Sequence, residues 1–287
     1  MKKIIYFLQY IGFIFIYFFY KILPLNISLK VSSFLFRTFG KFSRANKIAI
    51  NNCKYVFPNL KDEEIQNIIK KSWNNLGITI CELLRLNDIF IKNKIKYINL
   101  ENIEDFIKNK KQAIFISIHQ SNWEVLVPGL DRIGINIGGI YRHINNNFID
   151  KLILNIRQNS LVSKNSFYTP KGKKSAKDVV DAINNSLSIV LLIDQKDSSG
   201  EEVMFFNKKV KTQTGFLKIA RKYNLPIIPI QNKRIDNGNI ELTFLEPLYH
   251  NNLEINDTQM MEEIHNKIEQ WIKAEPSQWF WQHKRFS

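Results

Sequence analysis

The stretch that most constrains the fold is Ala113 to Leu126, AIFISIHQSNWEVL. Ala113 to Ile118 are apolar or small and rich in β-branched isoleucine, which predicts a buried strand. The run stops at His119. Gln120, Ser121 and Asn122 are turn or helix-start residues, and Trp123 to Leu126 begin a helical pattern. In open α/β sheets that strand-to-helix edge is where ligands bind. On one straight helix, five positions at about 100° each would splay His119 and Glu124 apart. With His119 in the turn and Glu124 in the first helical turn, the carboxylate can fold back to the imidazole. Glu124 then holds one ring nitrogen, and the other takes a proton from an incoming hydroxyl. Taken alone, the same residues also read as a strand, a cap and a core tryptophan.

A second buried strand, Ser188 to Ile193, also ends on a chemical residue, Asp194, followed by Gln195. Shorter strands are predicted over Gly138 to Arg142, over the proline-bounded Leu225 to Ile230, and over Ile240 to Leu245 after an Asp236–Gly238 turn. Helical spacing predicts helices from Asp62 to about Leu86, Phe148 to Arg157, Ala176 to Asn185, Phe216 to Tyr223 and Asp257 to Ala274. The 287 residues fit one α/β domain and an appendage.

The appendage is N-terminal. Lys2 and Lys3 precede an apolar run, Ile4 to Tyr20, broken only by Gln9 and Gly12 and extended beyond Lys21. A spanning helix needs about 20 apolar residues, and the aromatic density also suits an interfacial helix. The two lysines resemble a signal-peptide start, but no small-x-small cleavage site follows. The expectation is a retained anchor over residues 1–25 and a catalytic domain over 26–287. Ile27 to Tyr55 then reads as an amphipathic helix with Arg37, Lys41, Arg44, Lys47 and Lys54 among Phe34, Phe36, Phe39 and Phe42. Such a face rests on anionic headgroups or covers a packed core.

The net charge of +15 suits an anionic membrane surface, an acidic protein, a phosphorylated substrate or nucleic acid, although the Ile, Lys and Asn richness of the chain supplies some lysines by itself. Nucleic acid is disfavoured, because no recognition fold accompanies the charge. Cys53 and Cys81 have no metal spacing and form no disulfide framework, and the five histidines form no metal motif. Arg142 and Arg157 flank the Asn145–Asn147 turn; their planar forks suit phosphate or a surface salt bridge. Glu82 and Arg85 read equally as a surface ion pair, and Lys171 to Ser175 as a solvated basic turn.

HQSNWE resembles the H-x4-D/E motif of membrane acyltransferases, and its Asn122-Trp123-Glu124 ending resembles the bacterial lipid A late acyltransferases. Segments around Gly77, Glu82 and Arg85, the Arg142…Arg157 pair, Asp194-Gln195 with the following SSGEEVMFFNKKVKTQTG, and the tail Pro276 to Phe286 resemble the same family. The Glu-Gly-Thr-Arg block of glycerolipid acyltransferases is missing. Ile118 and Gln120 depart from the small or aromatic neighbours common in the family. The resemblance implies an α/β fold with a mixed central sheet flanked by helices and an N-terminal hydrophobic anchor helix. It implies no cofactor and no metal. The donor would be an acyl thioester on acyl carrier protein, and the acceptor a hydroxyl of a hydroxyacyl chain on a phosphorylated glycolipid. The catalytic domain would face the cytoplasm at the inner membrane. His119 would be the base and Glu124 its orienting partner; Arg157 and Asp194 match functional positions of the family, and Arg142 stands beside them as a substrate-binding or supporting residue. Ser121 is not expected to act as a nucleophile. Two other readings stay open: transfer to another glycolipid or a lysophospholipid, and a basic membrane-surface binding protein without catalysis.

Overall fold

The computed structural model describes residues 2–249 and 255–286, without the side chains of Lys173, Lys174 and Asn237. The basic turn predicted at Lys171 to Ser175 therefore lies partly outside the described side chains. Among the described residues the helices are α1 (Lys2–Ile22), α2 (Leu25–Phe39), α3 (Arg44–Val56), α4 (Asp62–Leu84), α5 (Leu86–Ile91), α6 (Glu104–Lys108), α7 (Leu126–Arg132), α8 (Asn147–Gln158), α9 (Lys173–Asn184), α10 (Gly215–Tyr223) and α11 (Asp257–Ala274). The strands are β1 (Ile95–Ile98), β2 (Ile114–Ser117), β3 (Ile137–Tyr141), β4 (Phe167–Pro170), β5 (Ser188–Leu192), β6 (Lys196–Phe205), β7 (Lys208–Thr212), β8 (Ile227–Arg234) and β9 (Ile240–Phe244).

Seven strands form one sheet in the order β1-β9-β8-β2-β5-β3-β4. Five neighbours from β8 to β4 run parallel; β9 is antiparallel to β8, and β1 is parallel to β9. The predicted mixed sheet flanked by helices is thus what forms. The central strand β2 is buried along its whole length, as its unbroken apolar run requires. Its side chains divide by the two-residue period of a strand: Ile114, Ile116 and Ile118 enter one core, Ala113 and Phe115 the other. The first core is closed by α3, α4, α9, α10, α11 and the β6–β7 hairpin, the second by α5, α6 and α7.

Helix α4 begins with Asp62, Glu63 and Glu64 in its first turn, which suits the positive end of the helix dipole. It crosses α2 at Gly77, where a Cβ would come within 2.7 Å of the Ser32 carbonyl oxygen, so only glycine allows this approach. Helix α11 starts with a reciprocal cap, the Asn256 side chain accepting from the Gln259 N–H and Gln259 from the Asn256 N–H. Helix α1 is long and apolar enough to cross a membrane, and Tyr20 is its one buried residue. That fits membrane association.

Candidate active site

Because β2 and β5 are parallel neighbours with Ser117 opposite Leu192, extending both by two residues sets His119 beside Asp194. The side chains meet: His119 Nδ1 lies 2.7 Å from Asp194 Oδ1, and the His119 backbone N–H donates to Asp194 Oδ2 at 3.1 Å. The indole Nε1 of Trp279 donates to the same Oδ2 at 2.7 Å. Burial by itself would raise the pKa of Asp194, but the His119 imidazole beside it and these hydrogen bonds outweigh burial and hold the carboxyl below its usual range. An ionised Asp194 fixes the proton of neutral His119 on Nδ1 and leaves Nε2 with its lone pair. The ring is flanked by Trp123 and Phe280, with centroids at 5.2 Å and 6.2 Å, and the Phe280 N–H donates to the His119 carbonyl at 2.9 Å.

Glu124 does not hold His119, and this corrects the pairing predicted from their spacing. Asn122 Oδ1 accepts the Glu124 N–H at 3.0 Å and starts a tight 3₁₀ turn over Trp123–Val125. The turn carries the Glu124 carboxylate to α8, where Arg157 grips it with both arms of its fork, Nε to Oε2 at 2.8 Å and Nη2 to Oε1 at 2.7 Å. Burial works against the Arg157 charge, but Glu124 more than compensates and pushes its pKa up. The guanidinium also lies 5.5 Å from the centre of the Tyr141 ring. Arg157 is therefore already committed to a carboxylate, which makes it a supporting residue of the cleft wall rather than an open phosphate fork.

The turn from His119 to Glu124 has a second support that sequence reasoning missed. Arg234 of β8 donates from Nη1 and Nη2 to the two oxygens of Glu82, each at 2.7 Å, and Asn122 Nδ2 donates to Glu82 Oε2 at 2.9 Å. Glu82 is only 1% exposed, so the surface pair with Arg85 does not form. Arg85 instead pairs with Asp88 and donates to the Tyr20 and Leu23 carbonyls at the α1–α2 junction. Ser121 adopts φ 53°, a left-handed conformation costing a non-glycine residue on the order of 1–3 kcal/mol. Its N–H donates to the Gln278 carbonyl, and its carbonyl accepts from Thr79 Oγ1 at 2.7 Å and Asn75 Nδ2 at 3.3 Å. The Ser121 hydroxyl is buried without a hydrogen-bond partner, so no base activates it. Gln120, one of the two departures in the motif, is buried and bridges to Trp279 of the tail.

His119 opens into a cleft of about 1010 Å³. Its lining combines apolar residues, Trp123, Val127, Ile140, Leu192 and Phe280, with basic ones, Arg142, His143, Lys171 and Lys284, and the acidic Glu124 and Asp197. Lys171 is paired with Asp197 at 2.9 Å. Arg142 is exposed and makes no hydrogen bond or ion pair among the described residues. His283 also lines the cleft; burial pushes its pKa down to about 4, and the charges of His119, Arg142 and Arg285 add to the shift while Asp194 opposes it. Of the predicted residues, His119 and Asp194 form one unit, Glu124 and Arg157 a second, and the exposed Arg142 lines the same cleft. A base with a held tautomer, an apolar wall and a cationic rim can together deprotonate a hydroxyl on an amphipathic, anionic molecule.

The chain matches the family model described as bacterial lipid A biosynthesis acyltransferase over residues 1–287. It is 24% identical over 255 residues to the lipid A biosynthesis lauroyltransferase of Escherichia coli (strain K12), covering 85% of this chain and 79% of that protein. Among solved structures, the 1-acyl-sn-glycerophosphate (LPA) acyltransferase PlsC from Thermotoga maritima aligns with a TM-score of 0.42 and 15% identity, over 85% of this chain and 99% of that one. The chain belongs to the bacterial lipid A biosynthesis acyltransferase family and is an acyltransferase.

Proposed function

We propose that this acyltransferase moves a fatty acyl chain from an acyl carrier protein thioester to a hydroxyl of a hydroxyacyl chain on a lipid A precursor. The reaction would take place at the inner membrane with the catalytic domain on the cytoplasmic side. The observation that carries the chemistry is the His119–Asp194 pair in a cleft lined by both apolar and basic residues. His119 Nε2 takes the proton of the acceptor hydroxyl as its oxygen attacks the thioester carbonyl. The C–S bond then breaks, and the imidazolium returns the proton to the departing thiolate. Asp194 orients the ring and stabilises its positive charge. General-base assistance of this kind contributes about 10²–10⁴ in rate. Glu124 and Arg157 act by shaping the wall beside the base. The whole-chain family match supports the lipid A pathway, and the exposed apolar helix α1 supports work at a membrane.

The test is the mass of a lipid A precursor before and after incubation with the protein and acyl carrier protein charged with a fatty acid. A gain of one acyl chain with wild type, and none with His119→Ala, is expected. Acylation of a lysophospholipid with no change in the lipid A precursor would overturn the assigned acceptor.

A further inference from the structure

The cleft holds a second histidine–carboxylate pair that the proposed reaction leaves unused. His143 Nδ1 lies 2.6 Å from Asp150 Oδ2, and the other oxygen of Asp150 accepts the Ile144 N–H at 2.8 Å. The Asp150 side chain is 10% exposed and that of His143 59%, so a buried carboxylate aims an open imidazole at the cleft. The Tyr141 ring meets His143 edge-on at 5.5 Å and limits its rotation. Arg142, next in the chain, is exposed with its fork uncommitted, and Lys284 of the tail, also exposed, lines the same cleft.

A second observation says what this rim meets. The loop carrying it is tied to the membrane helix: Asn146 Nδ2 donates to the Tyr6 carbonyl at 2.8 Å and to Gln9 Oε1 at 3.2 Å, while Asn146 Oδ1 caps α8. Phe148 packs on Phe7 and Tyr10 with centroids at 5.8 and 5.7 Å. Ile4, Ile5 and Leu8 of that same stretch are exposed, ready for lipid. A lipid lying alongside α1 would therefore bring its headgroup near the loop that Arg142, His143 and Ile144 begin, three residues that line the cleft of His119. An acidic protein would meet an outer surface instead.

We propose that Arg142 and His143, the latter held by Asp150, together with Lys284 bind a phosphate of the acceptor lipid. This rests on the acceptor named above being phosphorylated. Arg142 supplies a planar two-pronged donor, His143, aimed by Asp150, presents Nε2, and Lys284 adds a point charge. Arg157, sealed onto Glu124, takes no part.

The experiment compares wild type, Arg142→Gln and His143→Gln as full chains in detergent micelles, with a phosphorylated lipid A precursor and with the same lipid after phosphatase treatment. Each variant is expected to raise KM for the phosphorylated lipid roughly tenfold, the loss of one charge-assisted hydrogen bond, with kcat within about twofold. On the dephosphorylated lipid, wild type and variants should converge. Equal losses on both lipids would overturn the proposal, and so would a raised KM for the acyl carrier protein donor in place of the acceptor. Equilibrium binding of the two lipids to the same micelles separates this from the acyl-transfer reading. A phosphate preference lost in Arg142→Gln, without turnover by wild type, supports the rim and sinks the reaction. Turnover without any phosphate preference does the reverse.

Discussion

Two stretches of this chain look alike in composition and end in opposite places. The N-terminal region through Phe42 and the tail Pro276–Phe286 are both rich in aromatic and basic residues, and no Asp or Glu precedes Asp62. In the first, Phe42 is 76% and Ile22 82% exposed; in the second, Trp281 is 0% and Arg285 2% exposed. Hydrogen bonding explains the difference. The two indoles and the guanidinium of the tail find partners of fixed geometry: Arg285 on the Lys211 carbonyl and Thr212 Oγ1, Trp281 Nε1 on the Pro276 carbonyl, Trp279 on Asp194. Asn52 donates to the Trp281 and His283 carbonyls and fastens the tail to α3. In the N-terminal region Lys2, Lys21, Arg37 and Lys41 lie over rings close by in sequence. Aromatic–basic composition is thus ambiguous between a membrane face and a core until the partners of its polar ends are known.

The comparison ties the tail to the His119–Asp194 pair and leaves the N-terminal helices with an exposed aromatic face, and it can be broken in graded steps. The floor is set by His119→Ala, expected to lower kcat by about 10²–10⁴ with an unchanged circular dichroism spectrum. Next, Trp281→Ala should lower the unfolding free energy in detergent by about 3–5 kcal/mol through the cavity it leaves. A denaturant midpoint close to wild type would show that the tail is dispensable to the core. Trp279→Phe keeps the ring and deletes one donor to Asp194, so kcat should fall about tenfold. Asp194 has a depressed pKa in the fold, so its ionised form contributes stability above the unfolded value and loses it as pH falls through the folded one. Removing the Trp279 donor raises the folded value, and the acid limb of kcat/KM should move to higher pH. An unmoved limb would mean that the indole only fills space. The smallest effect belongs to Phe42→Ala: unfolding free energy within about 0.5 kcal/mol of wild type, with weaker partition onto anionic vesicles. A large destabilisation there would erase the contrast between the two regions.

Much of the fold is legible in local pattern. The unbroken apolar runs before His119 and Asp194 are strands because nothing else buries β-branched side chains so continuously, and the spacing of Met260, Met261, Ile264, Ile268 and Trp271 marks α11 over the predicted residues. The β6–β7 hairpin gave no such signal, since most of β6 is polar and only partly buried. Within the site, His119 and Asp194 each stand out as strand ends, but their pairing is a matter of sheet register, which links residues 75 apart. Sequence nearness favoured Glu124 in that place. A capping bond from Asn122, two residues away, turns its carboxylate toward α8 instead. The Glu82–Arg234 pair spans 152 residues and leaves no local trace. The one clue to Trp279 is general: a buried indole N–H needs an acceptor, and a buried carboxylate at a strand end needs donors.

The Trp279–Asp194 contact also bears on when the enzyme comes into being. Residues 276–286 leave the ribosome after every strand of the sheet, whereas α1 emerges before any of it. In chain order the apolar helix α1 therefore precedes the sheet, and the tail that completes the surroundings of the His119–Asp194 pair follows it. A chain made only as far as residue 275 has an Asp194 still lacking the indole donor and a His119 turn without the Gln278 and Phe280 backbone contacts that shape it. The surroundings of the His119–Asp194 pair are in this way complete only once the tail has docked.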